Sequence, residues 1–365
     1  MIVRVSKPEF NLRDKLSELD KPIGLKGSEL MRSETAQEAR NLIGIGAGRK
    51  NLFINGDMFI DQRAGGAAAT AASTGFWTID RWKAVVNPGS KFSMQRKSDG
   101  TVPGFPYYMR LTSLAATTLG SSEYQLFWQT IESQNLFDHT GFGFVGAKDL
   151  TLSFWVRSSV PGPFSGALEN WGQNRACVWQ VNIDNADTWE YKTVHIPAIE
   201  HGDWQVGSTN GAYFMFSLGS TLNGTPNIGW VNSQKLGSND DVRRIGINGA
   251  TVDLTGCQLE IGKVATEFEH HSYTEELALC QRYYYKLPIA TNGPPAYQYH
   301  NNHKQSVIFF PTTMRGNPTC VATWGTAGTF TQYYISQSHF KAYIGSTYDD
   351  GNSYYLTSLT ASSEI

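Results

Sequence analysis

The chain has 365 residues, enough for two or three domains that each bury a core. Charged residues make up only 17%, against roughly 25% in soluble domains, while aromatics reach 13% and glycine numbers 36. That composition suits short strands joined by tight turns, and a formal net charge of −2 excludes an electrostatic draw toward nucleic acid or anionic membrane.

Cys177, Cys257, Cys280 and Cys320 are dispersed and form no C-x-x-C pair. A disulfide scaffold or zinc ribbon is therefore not expected. No apolar signal core opens the chain, and no apolar run is long enough to span a bilayer. A soluble protein outside the ordinary secretory route is expected, with no membrane insertion.

In chain order, residues 1–50 differ from the rest. In "FNLRDKLSELDKP", Leu12, Leu16 and Leu19 mark one stripe of a helix that Pro22 stops. In "SETAQEARNLIG", Ser33 is the N-cap, Ala36, Ala39 and Ile43 share one side, and Gly44 ends the helix. Two such helices need another chain to cover them, so this segment is read as an anchor, with "GIGAGRKN" as a joint.

From Asn51 the pattern is β. "KFSMQRK", "DLTLSFWVRSS", "ACVWQVNI", "WEYKTVHIPA", "GAYFMFSLG" and "ATVDLTGCQLEIG" are the clearest strands. The alternation of Leu150, Leu152, Phe154 and Val156 with Thr151, Ser153, Trp155 and Arg157 predicts a half-buried strand of a two-sheet sandwich. About eight such strands over 51–268 predict a jelly roll. Residues 269–287 read as a junction helix: Ser272 caps, Glu275 completes a capping box, and Leu277, Cys280, Gln281 and Tyr284 follow at helical spacing. A small β domain is expected over 288–365. The fold class is thus mainly β, with a short helical N-terminus, a jelly-roll sandwich, a junction helix and a small C-terminal β domain.

Few motifs point to chemistry. His270 and His271 are adjacent and cannot chelate one ion from a helix or a strand, unlike H-E-x-x-H. "GFGFVG" is followed by a strand, not the helix that a dinucleotide loop needs. His300 and His303 lie in a polar stretch, and neither G-x-S-x-G nor a complete Walker loop is present. Asp184, Asp187, Glu190, Glu200 and Asp203 are candidates for a glycosidase pair, which only spatial separation can define. Asn55, Asp57 and Asp253 would supply three oxygens to a structural calcium that wants more; no other cofactor is implied. Trp171, Trp204 and Trp230 lie among loop polar residues and are candidates to stack on sugar rings, whereas Trp82, Trp128, Trp155 and Trp179 sit in strand-like runs and are assigned to the core.

"RKNLFINGDMFIDQR", "DRWK", "LTLSFWVRSS", "WEYKTVHIPA" and "GCQLEIGKVATEFEHHSYTEELALCQRYYYK" resemble the carbohydrate-binding-like jelly roll of bacteriophage tail-fibre and receptor-binding proteins over about residues 51–287. His271 stands where that family usually has Arg, and Glu267 where Pro is common. The resemblance implies a homotrimeric virion protein made in the host bacterial cytoplasm. It implies attachment to a phage tail or capsid protein through residues 1–50, and binding of host surface polysaccharide or receptor without turnover. Tyr297, Tyr299, Tyr333, Tyr334, Tyr354 and Tyr355 of the C-terminal tip are expected receptor contacts. The alternatives are a structural capsid-surface fibre or tail adaptor, and a depolymerising tailspike; no solenoid repeat favours the latter.

Overall fold

The computed structural model describes residues 49–205, 210–222, 224–287, 297–300, 303–324, 330–344 and 356–364. The chain divides into two compact units, Met1–Lys50 and Asn51–Ile365. The helices read around Leu12, Leu16 and Leu19 and around Ala36, Ala39 and Ile43 lie outside the described residues.

The second unit opens with β1 (Ala69–Thr70), β2 (Phe76–Trp77), β3 (Lys83–Asn87), β4 (Phe92–Lys97), β5 (Tyr108–Ser113) and β6 (Tyr124–Glu132). Helix α1 (Ser133–Thr140) follows, then β7 (Leu150–Ser158), β8 (Gly162–Asn170), β9 (Ala176–Ile183), β10 (Glu190–Ile196) and β11 (Asn210–Ser220). Three short strands, β12 (Gly224–Thr225), β13 (Gly229–Val231) and β14 (Gly237–Ser238), precede the long β15 (Thr251–Ile261). Sheet A has the order β1-β4-β5-β15-β7-β10 and sheet B the order β13-β9-β8-β11-β6-β3-β2. Neighbours in both sheets are antiparallel. The protein is mainly β, and the two facing sheets form a jelly-roll-type sandwich.

Alternation along the strands builds the core. In β7, Leu150, Leu152, Phe154 and Val156 are buried inside, while Trp155 and Arg157 face out half-buried. Phe154 meets Phe216 of sheet B edge-on at 5.3 Å, and Trp82 stacks on Phe127 at 5.1 Å. β6 and β11 depart from the half-buried pattern. Phe127, Phe214 and Phe216 face the core, while Leu126, Trp128, Tyr213 and Met215 are buried on the other face with Leu222, Val231 and Leu236. The segment that carries β12–β14 returns over sheet B, which explains why "GAYFMFSLG" is apolar throughout.

The opening and closing segments of the sandwich interlock. Asn51 accepts from the N–H groups of Phe53 and Leu259 and donates to Cys257 O, and Leu52 N–H donates to Leu259 O. Gly56 is required here, because a Cβ would lie 2.1 Å from Cys257 O. Glu269 accepts from Asn51 N–H at 2.7 Å, and Glu276 accepts from Asn55 N–H. His271 lies between these two carboxylates, 3.4 Å from Glu269 and 3.7 Å from Glu276. Glu269, His271 and Glu276 therefore fasten the first turn of the sandwich.

Helix α2 (Tyr273–Gln281) carries the expected capping box, with Ser272 and Glu275 each accepting from the other's backbone N–H. It ends earlier than the spacing to Tyr284 suggested, because Tyr284 already belongs to β16 (Tyr284–Lys286). Helix α1 was not anticipated. It has no side-chain cap, and its one local signal is the left-handed Gly141 (φ 64°) that terminates it.

Beyond α2 lie β17 (Tyr297–His300), β18 (His303–Phe309), β19 (Thr319–Trp324), β20 (Phe330–Ile335), β21 (His339–Ile344) and β22 (Leu356–Ser362). They form two small sheets, β16-β22-β19 and β17-β18-β21-β20. Tyr285, Ile308, Phe310, Met314, Phe340, Leu356 and Leu359 share their core.

Candidate functional site

The β8–β9 hairpin is organised by Asn170, whose buried side chain accepts from the N–H groups of Asn174 and Arg175 and donates to Asp203 O. Trp171 N–H donates to Gly211 O, which ties the hairpin to β11. The turn thereby presents Trp171, 43% exposed, beside the exposed Gln173 and Asn174.

Trp171 is the open end of an aromatic row across the outer face of sheet B. Its ring lies 5.5 Å from Tyr213, which stacks on Trp128 at 4.8 Å and 14°. The Lys83 ammonium lies 5.3 Å from the ring centres of both Trp128 and Trp77. Strand register dictates the order, with Trp77 opposite Lys83 and Lys83 opposite Trp128. Trp171 lies in the polar turn expected of it. Trp155, expected in the core, instead faces out half-buried, and Trp128 is buried as expected, though in the cluster on the outer side of sheet B. The available signal was the alternation of Phe127 and Trp128 in β6, which sends adjacent aromatics to opposite faces.

Glu169 lies beneath this row, directly opposite Tyr213. Its carboxyl is buried beside Gln173, Gln234 and the Lys235 N–H, yet neither oxygen closes a hydrogen bond. Burial outweighs those neighbours and pushes its pKa from 4.5 up to about 8. Trp128 Nε1 and Thr130 Oγ1 on the same face are likewise buried without a partner. Because the folded carboxyl holds its proton and the unfolded one releases it, its stabilising contribution is complete below pH 4.5 and lost as pH rises through about 8. Glu169→Gln is therefore expected to raise Tm relative to the parent at pH 8.5 and to lose that advantage at pH 5. Equal differences at the two pH values would contradict this.

The other sequence candidates are dispersed. Trp204 is buried against Phe142 and Trp230, which corrects its assignment as exposed: Phe142, Gly143 and Gly202 close over its ring. Trp230 is half-buried, and its Nε1 donates to Pro197 O. Asn55 spends its side chain on Ile60 and Asp80 backbone groups, and Asp253 pairs with Arg110 and Arg157. Asp57 borders the Glu276 carboxylate, and burial with that neighbour raises it to about 6. Asn55, Asp57 and Asp253 thus serve separate partners. Among the described residues, no cluster of three or more His, Cys, Asp or Glu is arranged to hold a metal.

Asp184 and Glu190 share Lys192, and both are held below the ordinary carboxylate range, against the shift a general acid needs. Glu200 accepts from Gly146 N–H, and Asp203 offers its backbone oxygen to Asn170. In the C-terminal sheets, Tyr334 is exposed opposite Lys341. Tyr297 and Tyr299 belong to β17 and Tyr333 to β20, while Tyr354 and Tyr355 lie outside the described residues.

No family model matches the chain, and no curated protein matches it. Among solved structures, it is similar to the enzymatically active domain of bacteriophage CBA120 tailspike protein 4, at 12% identity and a TM-score of 0.31. That match covers 50% of this chain and 19% of the tailspike chain. It is also similar to a family 30 carbohydrate binding module, at 10% identity and a TM-score of 0.30, covering 57% of this chain and 95% of the module. A family 11 carbohydrate-binding module from Clostridium thermocellum, in complex with a mixed-linked tetrasaccharide, matches at 14% identity and a TM-score of 0.26, over 55% and 98% of the two chains.

Proposed function

We propose that this protein binds glycan without turning it over, as a phage virion fibre that contacts the host surface. The observation that carries the glycan reading is the exposed Trp171, set among Gln173 and Asn174 and backed by Tyr213. An indole face covers the CH face of a sugar ring, and the flanking amides offer donors and acceptors to its hydroxyls. The virion reading rests on the sequence resemblance, and under it residues 1–50 attach a homotrimer to the particle. Weak sites become effective there through several copies per particle.

The test is a bacterial surface-polysaccharide array probed with the full chain and with Trp171→Ala. Loss of the indole is expected to weaken binding about tenfold, the scale of one aromatic contact. Binding to no polysaccharide, or equal binding by the variant, would leave the structural-fibre alternative. New reducing ends released from a bound polysaccharide would replace binding with depolymerisation.

A further inference from the structure

The outer face of sheet A carries a second, differently charged surface. Gln95, Arg110, Asp253 and Arg157 stand in register across β4, β5, β15 and β7. Asp253 is buried and takes Arg110 Nε and Nη2 at 2.7 and 2.8 Å and Arg157 Nε at 2.8 Å. Two guanidinium groups therefore share one carboxylate, which leaves one positive charge in excess on this ladder. A guanidinium is charged at any working pH, and the hydrogen bonds to Asp253 hold the Arg110 pKa above its ordinary value.

The two arginines differ in what remains free. Arg157 also donates Nη1 to Gly100 O and packs on Trp189, 4.6 Å from its ring. Arg110 has a side chain 28% exposed, and its Nη1 meets no acceptor among the described residues. Two strands from Arg110, Trp155 of β7 pairs in register with Tyr191 of β10, their ring centres 5.3 Å apart, and Tyr191 is 44% exposed. A fixed cationic donor and an open aromatic shelf thus share one sheet face, about 10–15 Å apart at the spacing of neighbouring strands, on the side of the sandwich opposite the one that carries Trp171.

We propose that this face is a second saccharide site, selective for acidic sugars: Arg110 receives the carboxylate of one ring, and the Trp155–Tyr191 shelf takes a ring further along the same oligosaccharide. A guanidinium gains more from a carboxylate than from a neutral hydroxyl, because both partners of the hydrogen bond are charged. Asp253 holds Arg110 in place, so little side-chain freedom is lost on binding. The inference extends the glycan reading but does not depend on the Trp171 site.

Titration of the full chain with oligogalacturonate and with its fully methyl-esterified form isolates the charge, since the two share one sugar backbone. A sialic-acid oligomer provides a second acid, and inorganic sulfate tests for plain anion binding. The expected result is at least tenfold tighter binding of an acid oligomer than of the ester. Arg110→Gln should abolish that preference, Tyr191→Ala should weaken binding, and Trp171→Ala should leave it unchanged.

Arg157 still pairs with Asp253 in Arg110→Gln. If that variant fails to fold, Arg110→Lys must reduce the preference while Tyr191→Ala still lowers affinity. No preference for either acid over the neutral ester, or a preference indifferent to Arg110, overturns the proposal. So does sulfate competing at the affinity of the oligomers. Loss of array binding in Trp171→Ala with this acid preference intact would separate the two sites.

Discussion

Trp82→Ala should remove about 3–5 kcal/mol of folding stability, measured by urea unfolding of the full chain. The indole is fully buried, with Phe53, Phe127 and Phe216 around it at centroid distances of 5.2, 5.1 and 6.1 Å. Rings from β6, β11 and the opening turn meet there, so a methyl group in its place leaves a cavity that none of them can fill alone. Trp82 Nε1 also donates to Asn55 O at 2.9 Å, which fastens the "NGDM" turn to the core. Trp82→Phe separates the two contributions. It retains most of the apolar volume but orphans that carbonyl, and is expected to cost about 1–3 kcal/mol. Equal losses in the two variants would mean that packing contributes little at this position.

Glu364→Ala is expected to cost about 3 kcal/mol and to loosen the C-terminal sheets. Its carboxylate joins Arg63 at 2.9 Å and forms a closer contact with Arg81. Arg81 is fully buried, donates to Thr130 O and lies 3.5 Å over the Tyr283 ring. Removing Glu364 leaves a buried guanidinium without its counter-charge, and its pKa, held above the ordinary Arg value by Glu364, would fall back. Ser363 N–H donates to Tyr283 O immediately after β22, so the ion pair fixes the end of the strand at the centre of its sheet. Hydrogen exchange should therefore accelerate in β22 (Leu356–Ser362) before it changes in β7. Unchanged exchange in β22, with stability within about 1 kcal/mol of the parent, would remove this pair from the account.

The four residues of "DRWK" show how differently neighbouring positions read. Trp82 was legible as core because it sits in a strand-like run. Asp80, which accepts from Gln62, and Arg81, which reaches Glu364, have partners 18 and 283 residues away. No local pattern announces such pairs. Lys83 looks like an ordinary surface cation, yet strand pairing sets it between two indole rings. The same limit explains Trp204. "IEHGDWQVG" has the composition of an exposed loop, and only the approach of Phe142 and Trp230 closes it over the ring.

By itself the sequence determined the β class, the positions of the long strands, the capping box of α2 and the inward faces of strands such as β7. Those features depend on period, propensity and near neighbours, all of which are written locally. Which outer face carries aromatics, which carries paired arginines, and which is covered by a returning segment were decided by the tertiary structure. Strand order and register bring together residues far apart in the chain, and the second face of an apolar strand can be assigned only once its cover is in place. Trp171 sits where both kinds of information agree, in a polar turn by sequence and beside Tyr213 by register.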